Sequence, residues 1–85
     1  MDLSIIIPVY NKSKLINRCL DSIFKQTTIH SYEVVLVDDG STDDSVELIK
    51  ARTESNIILY EQQNAGPSVA RHKGVEMSHG KYCAY

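Results

Sequence analysis

Apolar, β-branched runs alternate along this chain with segments of helical periodicity, and that alternation constrains the fold more than any other feature. The first run, residues 3–10, is the pattern of a strand buried on both faces. Pro8 interrupts it. Proline has no N–H to donate to a ladder, so pairing is expected to stop near that end. Asn11 and Ser13 then offer helix N-caps. Leu15, Ile16, Cys19, Leu20, Ile23 and Phe24 share one helical face, and the helix is predicted to end near Gln26, before Thr27 and Thr28. Residues 32–37 form the second strand and 38–42 a turn. Ser41, Thr42 or Asp43 can cap the next helix, with Asp43 and Asp44 at the positive end of its dipole. Val46, Leu48 and Ile49 supply its apolar stripe. Residues 56–60 are the third strand. Gly66–Pro67 opens a third helix, since proline suits the first helical position. Val69, Ala70, Lys73, Gly74 and Met77 follow at helical spacing, with Gly80 as a stop. Residues 81–85 begin a fourth strand.

The order βαβαβαβ predicts an α/β fold with a parallel sheet and right-handed crossovers. Such sheets bind ligands beyond the carboxyl ends of their strands, where strand order reverses. Three strand ends carry polar or unusual residues: 8–11, 38–41 and 61–67. A nucleotide crevice is therefore the leading expectation. The 85 residues make one small domain with a thin core. The run KYCAY has no polar residue after it, so the chain reads as a fragment.

A net charge of −2 without a Lys/Arg block argues against nucleic acid as a partner. No apolar run approaches a membrane span, and LSIIIPVY is too short, and lacks the basic leader, for a signal peptide. Cys19 and Cys83 share no metal or redox spacing and read as small core residues, which fits a reducing, cytoplasmic setting. His30, His72 and His79 show no paired metal spacing and read as surface or cap residues. Met77 reads as core. Glu33 and Glu61 flank strands without an evident partner.

The adjacent aspartates of VVLVDDGST hold the sharpest ambiguity. Strand side chains alternate faces, so Asp38 and Asp39 point in opposite directions if both keep strand geometry. They then form neither a dyad nor a chelate. One can project toward the crevice while the other bonds donors of the turn; the simpler reading makes both turn or cap residues. Tyr10 can stack on a flat base or anchor the strand end. Asn11 fits a cap better than a contact. In 64–68, backbone N–H groups can face phosphates, although neither GxGxxG nor GxxxxGK[ST] is present. Arg71, one turn further, can reach a phosphate or stay solvated.

The stretches SIIIPVYNKSKLINRCLDSI, YEVVLVDDGSTDDSVELI and NAGPSVARHKGVEMSHGKYCAY together resemble the N-terminal part of family 2 glycosyltransferases, which use nucleotide sugars and have the GT-A fold. IPVYN and VDDGSTD are specific in combination. An NxGxxxAR element, here Asn64, Gly66, Ala70 and Arg71, adds a third match. His72 departs from the asparagine common in the family.

The resemblance implies a three-layer α/β/α arrangement with strand order 3-2-1-4, the Rossmann-like nucleotide-binding half of a GT-A fold. It implies a UDP-sugar whose base lies against Pro8, Val9 and Tyr10, with Asp39 holding the uracil edge and Arg71 lining the pocket. Asp38 becomes a structural neighbour. The family's Asp-x-Asp, which coordinates Mn²⁺ or Mg²⁺ at the diphosphate, follows strand four and lies beyond Tyr85. So do the acceptor-binding half and the general base of inverting members. The implied reaction moves a sugar to an acceptor hydroxyl, as on a growing glycan, with inversion, at the cytoplasmic membrane face in the complete protein. Residues 1–85 alone are expected to bind nucleotide weakly, to transfer nothing, and to self-associate through apolar surface along strand four. Rival readings are weaker. A response-regulator receiver would end its first strand in the acidic pair and its third in an aspartate. A dinucleotide-binding oxidoreductase would need glycines where PVYNKS stands. A non-catalytic nucleotide-binding or interaction module fits residues 1–85 as they stand.

Overall fold

The computed structural model describes residues 3–26, 31–79 and 81–84. Its elements are β1 (Leu3–Val9), α1 (Ile16–Gln26), β2 (Tyr32–Asp39), α2 (Ser45–Lys50), β3 (Ile57–Gln62), α3 (Pro67–Met77) and β4 (Lys81–Ala84). The strands form one parallel sheet in the order β3-β2-β1-β4. This is the expected order, and β1 and β4 flank the point where the chain's direction of winding reverses.

Side-chain alternation on β1 and β2 sorts the core into two layers. On one face Ile5, Ile7, Val9, Val34 and Leu36 pack with Ile16, Leu20 and Ile23 of α1 and Ile49 of α2. On the other Ile6, Val35 and Val37 pack with Ala70 of α3. Right-handed crossovers place the helices in this way. Gly74 makes the α3 contact close, because a Cβ there would collide with Ile6 Cγ2.

Several elements depart from their predicted bounds. Pro8 does not stop the pairing of β1 with β2, which runs through Pro8↔Val37 and Val9↔Asp38. The described β4 register covers only Leu3–Ile6 of β1, so the missing N–H falls clear of it. β2 continues through both aspartates, and the turn begins at Gly40. β3 likewise extends to Gln62. Leu15 precedes α1 and is 52% exposed, so it lies off the apolar face. Val69 is exposed too, and α3 buries Ala70 and Gly74 instead. Lys73 lays its ammonium 5.1 Å from the Tyr60 ring centroid. α3 ends at Met77, with Ser78 already extended, before the glycine expected to stop it. Thr27, Thr28, His30, Gly80 and Tyr85, and the side chain of Cys83, lie outside the described residues.

Two polar clusters tie the periphery. Arg52 donates to Glu54, Asn17 and Asp21 and stands over the Phe24 ring, joining the segment after α2 to α1. Glu33, 1% exposed, does have partners: it accepts from Ser4 Oγ at 2.6 Å and from the His79 N–H at 2.7 Å, with the His79 ring 3.0 Å away. Burial pushes the Glu33 carboxyl up, and the bonds from Ser4 and His79 outweigh it, leaving it below the usual range. Glu61 pairs with Lys50 at 3.4 Å. His72 pairs with Glu76 on the exposed side of α3.

Candidate functional site

The carboxyl ends of β1 and β2 and the loop between β3 and α3 enclose a cavity of about 560 Å³, lined by Pro8, Val9, Tyr10, Lys12, Asp39, Asn64, Gly66 and Pro67. Tyr10 is 46% exposed, an aromatic face standing at the mouth rather than packed in the core. Four of the five residues singled out from the sequence meet here. Arg71 does not line the cavity; it is exposed one turn into α3, whose first residue, Pro67, does.

Loop geometry follows from three residues. Asn11 adopts φ +51°, a left-handed conformation that asparagine tolerates. Its side-chain oxygen accepts from the Thr42 N–H at 2.7 Å and from Thr42 Oγ1 at 3.3 Å, while its own N–H donates to Ser41 Oγ. Asn11 therefore caps the loop after β2, not helix α1. Asp43 accepts from Ser45 Oγ at 2.6 Å and from the N–H groups of Ser45 and Ser13, and these bonds, the Ser45 hydroxyl foremost, hold its carboxyl down at about 2. Lys12 N–H donates to Ser45 Oγ. The β1–α1 and β2–α2 loops are thus laced together next to Tyr10 in the chain. Gly40, at φ +77°, completes the arrangement, since a Cβ there would fall 2.9 Å from the Asn64 nitrogen.

The two aspartates diverge, as alternation requires. Asp38 turns into its own loop and accepts from the N–H and Oγ of Ser41. Asp39, 3% exposed, reaches the β3–α3 loop. Its Oδ1 accepts from the Ala65 N–H at 2.7 Å and Gln62 Nε2 at 2.9 Å; its Oδ2 accepts from the Gly66 N–H at 3.0 Å and Asn64 Nδ2 at 3.3 Å. The Gln62 and Ala65 bonds lead in holding its carboxyl below the usual range. The N–H groups of Ala65 and Gly66, which by sequence could have faced phosphates, are therefore committed to Asp39.

This donor set does not suit a metal. Both carboxylates have their lone pairs directed at N–H and O–H donors, and they point apart. Among the described residues no group of three His, Cys, Asp or Glu side chains is placed to hold a metal ion. Among them, too, no helix is long and apolar enough to cross a membrane. Cys19 is a free thiol, half-buried against the α1 core, and burial pushes its pKa up.

Sequence reasoning missed Lys12 as a lining residue and Gln62 as a partner of Asp39. Lys12 lies two positions after Tyr10 in the same loop, which was the available signal. Gln62 lay beyond the predicted end of β3, so its registry opposite Asp39 was not foreseeable.

Comparison with known proteins finds the same fold in related sequences. "Uncharacterized glycosyltransferase YibD" of Escherichia coli (strain K12) is 44% identical over 85 residues, covering 98% of this chain and 24% of YibD. The crystal structure of S. aureus TarS 1-349 in complex with UDP-GlcNAc matches with a TM-score of 0.87 and 32% identity, over 99% of this chain and 26% of that one. The mannosyltransferase PcManGT from Pyrobaculum calidifontis, in complex with GDP-Man and Mn²⁺, matches with a TM-score of 0.83 and 29% identity, over 91% of this chain and 24% of that one. The chain thus spans about a quarter of the length of each of these three. The family profile of Glycosyl transferase family 2 matches residues 4–85, and on that match the chain belongs to glycosyl transferase family 2.

Proposed function

We propose that residues 1–85 are the nucleotide-sugar-binding part of a glycosyltransferase that moves a sugar from a UDP-sugar to an acceptor hydroxyl with inversion. The cavity beside Tyr10 and Asp39 carries this reading. It lies at the carboxyl ends of parallel strands, where an α/β sheet takes its ligand. Tyr10 offers a face for a base to stack on, with Pro8 and Val9 forming the floor. Asp39 accepts the ring N–H of uracil in exchange for the long Asn64 bond. Arg71 approaches the nucleotide from α3, and Lys12 supplies a cation at the rim.

Transfer chemistry lies elsewhere in this reading. The 85 residues contain no Asp-x-Asp, and Asp38 and Asp39 are directed away from a common ion. A divalent cation, Mn²⁺ or Mg²⁺, would be held by residues of the whole enzyme outside these 85, as would the acceptor, a growing glycan. The absence of paired cysteine spacing supports a cytoplasmic enzyme.

Titration with UDP and UDP-glucose, with and without Mn²⁺, tests the proposal. Weak, saturable binding that Mn²⁺ hardly changes is expected. Tyr10→Ala should weaken it about tenfold, as loss of one base–aromatic stack does. Sugar transfer by these residues alone, or binding indifferent to Tyr10 and Asp39, would overturn the reading.

A further inference from the structure

We propose that Gln62 decides which base the cavity accepts, by holding one oxygen of Asp39 away from the ligand. The inference rests on the nucleotide reading above. A base edge meets a carboxylate in one of two ways. Uracil presents a single ring N–H between two carbonyls and engages one oxygen. Guanine presents a ring N–H and an amino group side by side and engages both.

Asp39 does not offer both oxygens equally. Each accepts one backbone N–H, from Ala65 or Gly66, fixed by the loop. Each also accepts one side-chain amide, and only these amides can be displaced. They differ in two respects. Asn64 lines the Tyr10 cavity and makes the longer bond, 3.3 Å to Oδ2. Gln62 lines a separate depression with Asp38, Gly40 and Lys50, away from the ligand, and makes the shorter bond, 2.9 Å to Oδ1. A ligand in the Tyr10 cavity therefore releases Oδ2 and leaves Oδ1 engaged. Asn64 Nδ2 keeps its bond to the Asp39 main-chain oxygen at 3.1 Å and has a second N–H free for a base carbonyl. The vacated site pairs the one-donor uracil edge. It leaves the second donor of guanine without a partner, and an unpaired polar group at a buried site is what discriminates strongly.

Nuclear magnetic resonance titration of this chain with UDP and with GDP, without metal, tests the idea. The wild type should prefer UDP by about tenfold or more, and Gln62→Leu should lower that ratio by about tenfold. Added UDP should shift the Asn64 side-chain amide and leave the Gln62 amide in place, a readout that decides the matter should Gln62→Leu fail to fold. An unchanged ratio in Gln62→Leu, equal wild-type affinity for the two nucleotides, or movement of the Gln62 amide on adding UDP would overturn the inference while leaving the site intact. Failure of UDP to perturb Tyr10 and Asp39 would overturn the site reading and this inference together.

Discussion

The side-chain oxygen of Asn11 lies 2.7 Å from the Thr42 N–H, so the residue that follows the Tyr10 wall also caps the neighbouring loop. Replacing it separates two contributions. Asn11→Gly keeps access to the left-handed backbone but loses the cap. Asn11→Ala loses both. Losing the side-chain hydrogen bonds costs about 0.5–1.5 kcal/mol, and alanine at positive φ adds about 1 kcal/mol. Urea denaturation should therefore rank stability as wild type, then Asn11→Gly, then Asn11→Ala. Because Tyr10 is anchored through this residue, UDP binding should weaken in both variants.

Asp39 organises its loop through the Ala65 and Gly66 N–H groups. Asp39→Asn turns an amide donor toward one of these donors. Native-state hydrogen exchange should show the Ala65 and Gly66 amides losing protection by at least tenfold, with the β2 core unaffected, and UDP binding should fall in parallel. Unchanged protection would mean that the loop is ordered by other contacts.

Acid should destabilise the fold in a defined window. Asp39, Asp43 and Glu33 all have carboxyls held below their ordinary values of 3.8, 3.8 and 4.5. A depressed folded-state pKa contributes stability above the unfolded value, and that stability is lost as pH falls through the folded value. The urea midpoint should be steady from pH 7 to about 5 and fall below about 4.5, with the Asp43 share disappearing between 3.8 and about 2. Asp43→Asn should flatten the lower part of that profile.

Gly74 permits the approach of α3 to the sheet, and Gly74→Ala should cost about 1–3 kcal/mol by overpacking against Ile6. The cost should shrink in an Ile6→Ala background, where the opposing methyl is gone. Thermodynamic coupling in the double-mutant cycle checks this directly. Since α3 begins at Pro67, which lines the cavity, the single variant should also weaken nucleotide binding.

Arg52, with its side chain 13% exposed, forks between Glu54, Asn17 and Asp21. Lysine cannot reproduce that fork. Arg52→Lys should cost about 1 kcal/mol, a modest value because Asp21 is largely solvent-exposed and screens its share. Binding should be unaffected, since the cluster lies on the α1 and α2 side of the fold, outside the cavity lining.

Much of this was legible in the residues. The β-branched runs and helical spacings set the order of elements, and alternation at Asp38 and Asp39 foretold their divergence. Packing decided the rest. Leu15 and Val69 fit a helical stripe, but a stripe does not say which of its members the sheet covers. Glu33 showed no partner because Ser4 and His79 lie far off in sequence and meet it only through strand pairing and the α3–β4 turn. The capping role of Asn11 was hidden for the same reason, its partners Ser41 and Thr42 being 30 and 31 residues away.

Strand β2 carries Glu33 near one end and Asp38 and Asp39 at the other, with only Val34–Val37 between them. Four aliphatic residues alone would slide past their neighbours at little cost, since each resembles the next. The charged ends forbid this. A slip of one position would strand every carboxylate away from its donors inside the protein. The interior of this strand should therefore tolerate exchange among valine, isoleucine and leucine. Its two polar ends act as stops that make misaligned assemblies of the sheet unfavourable.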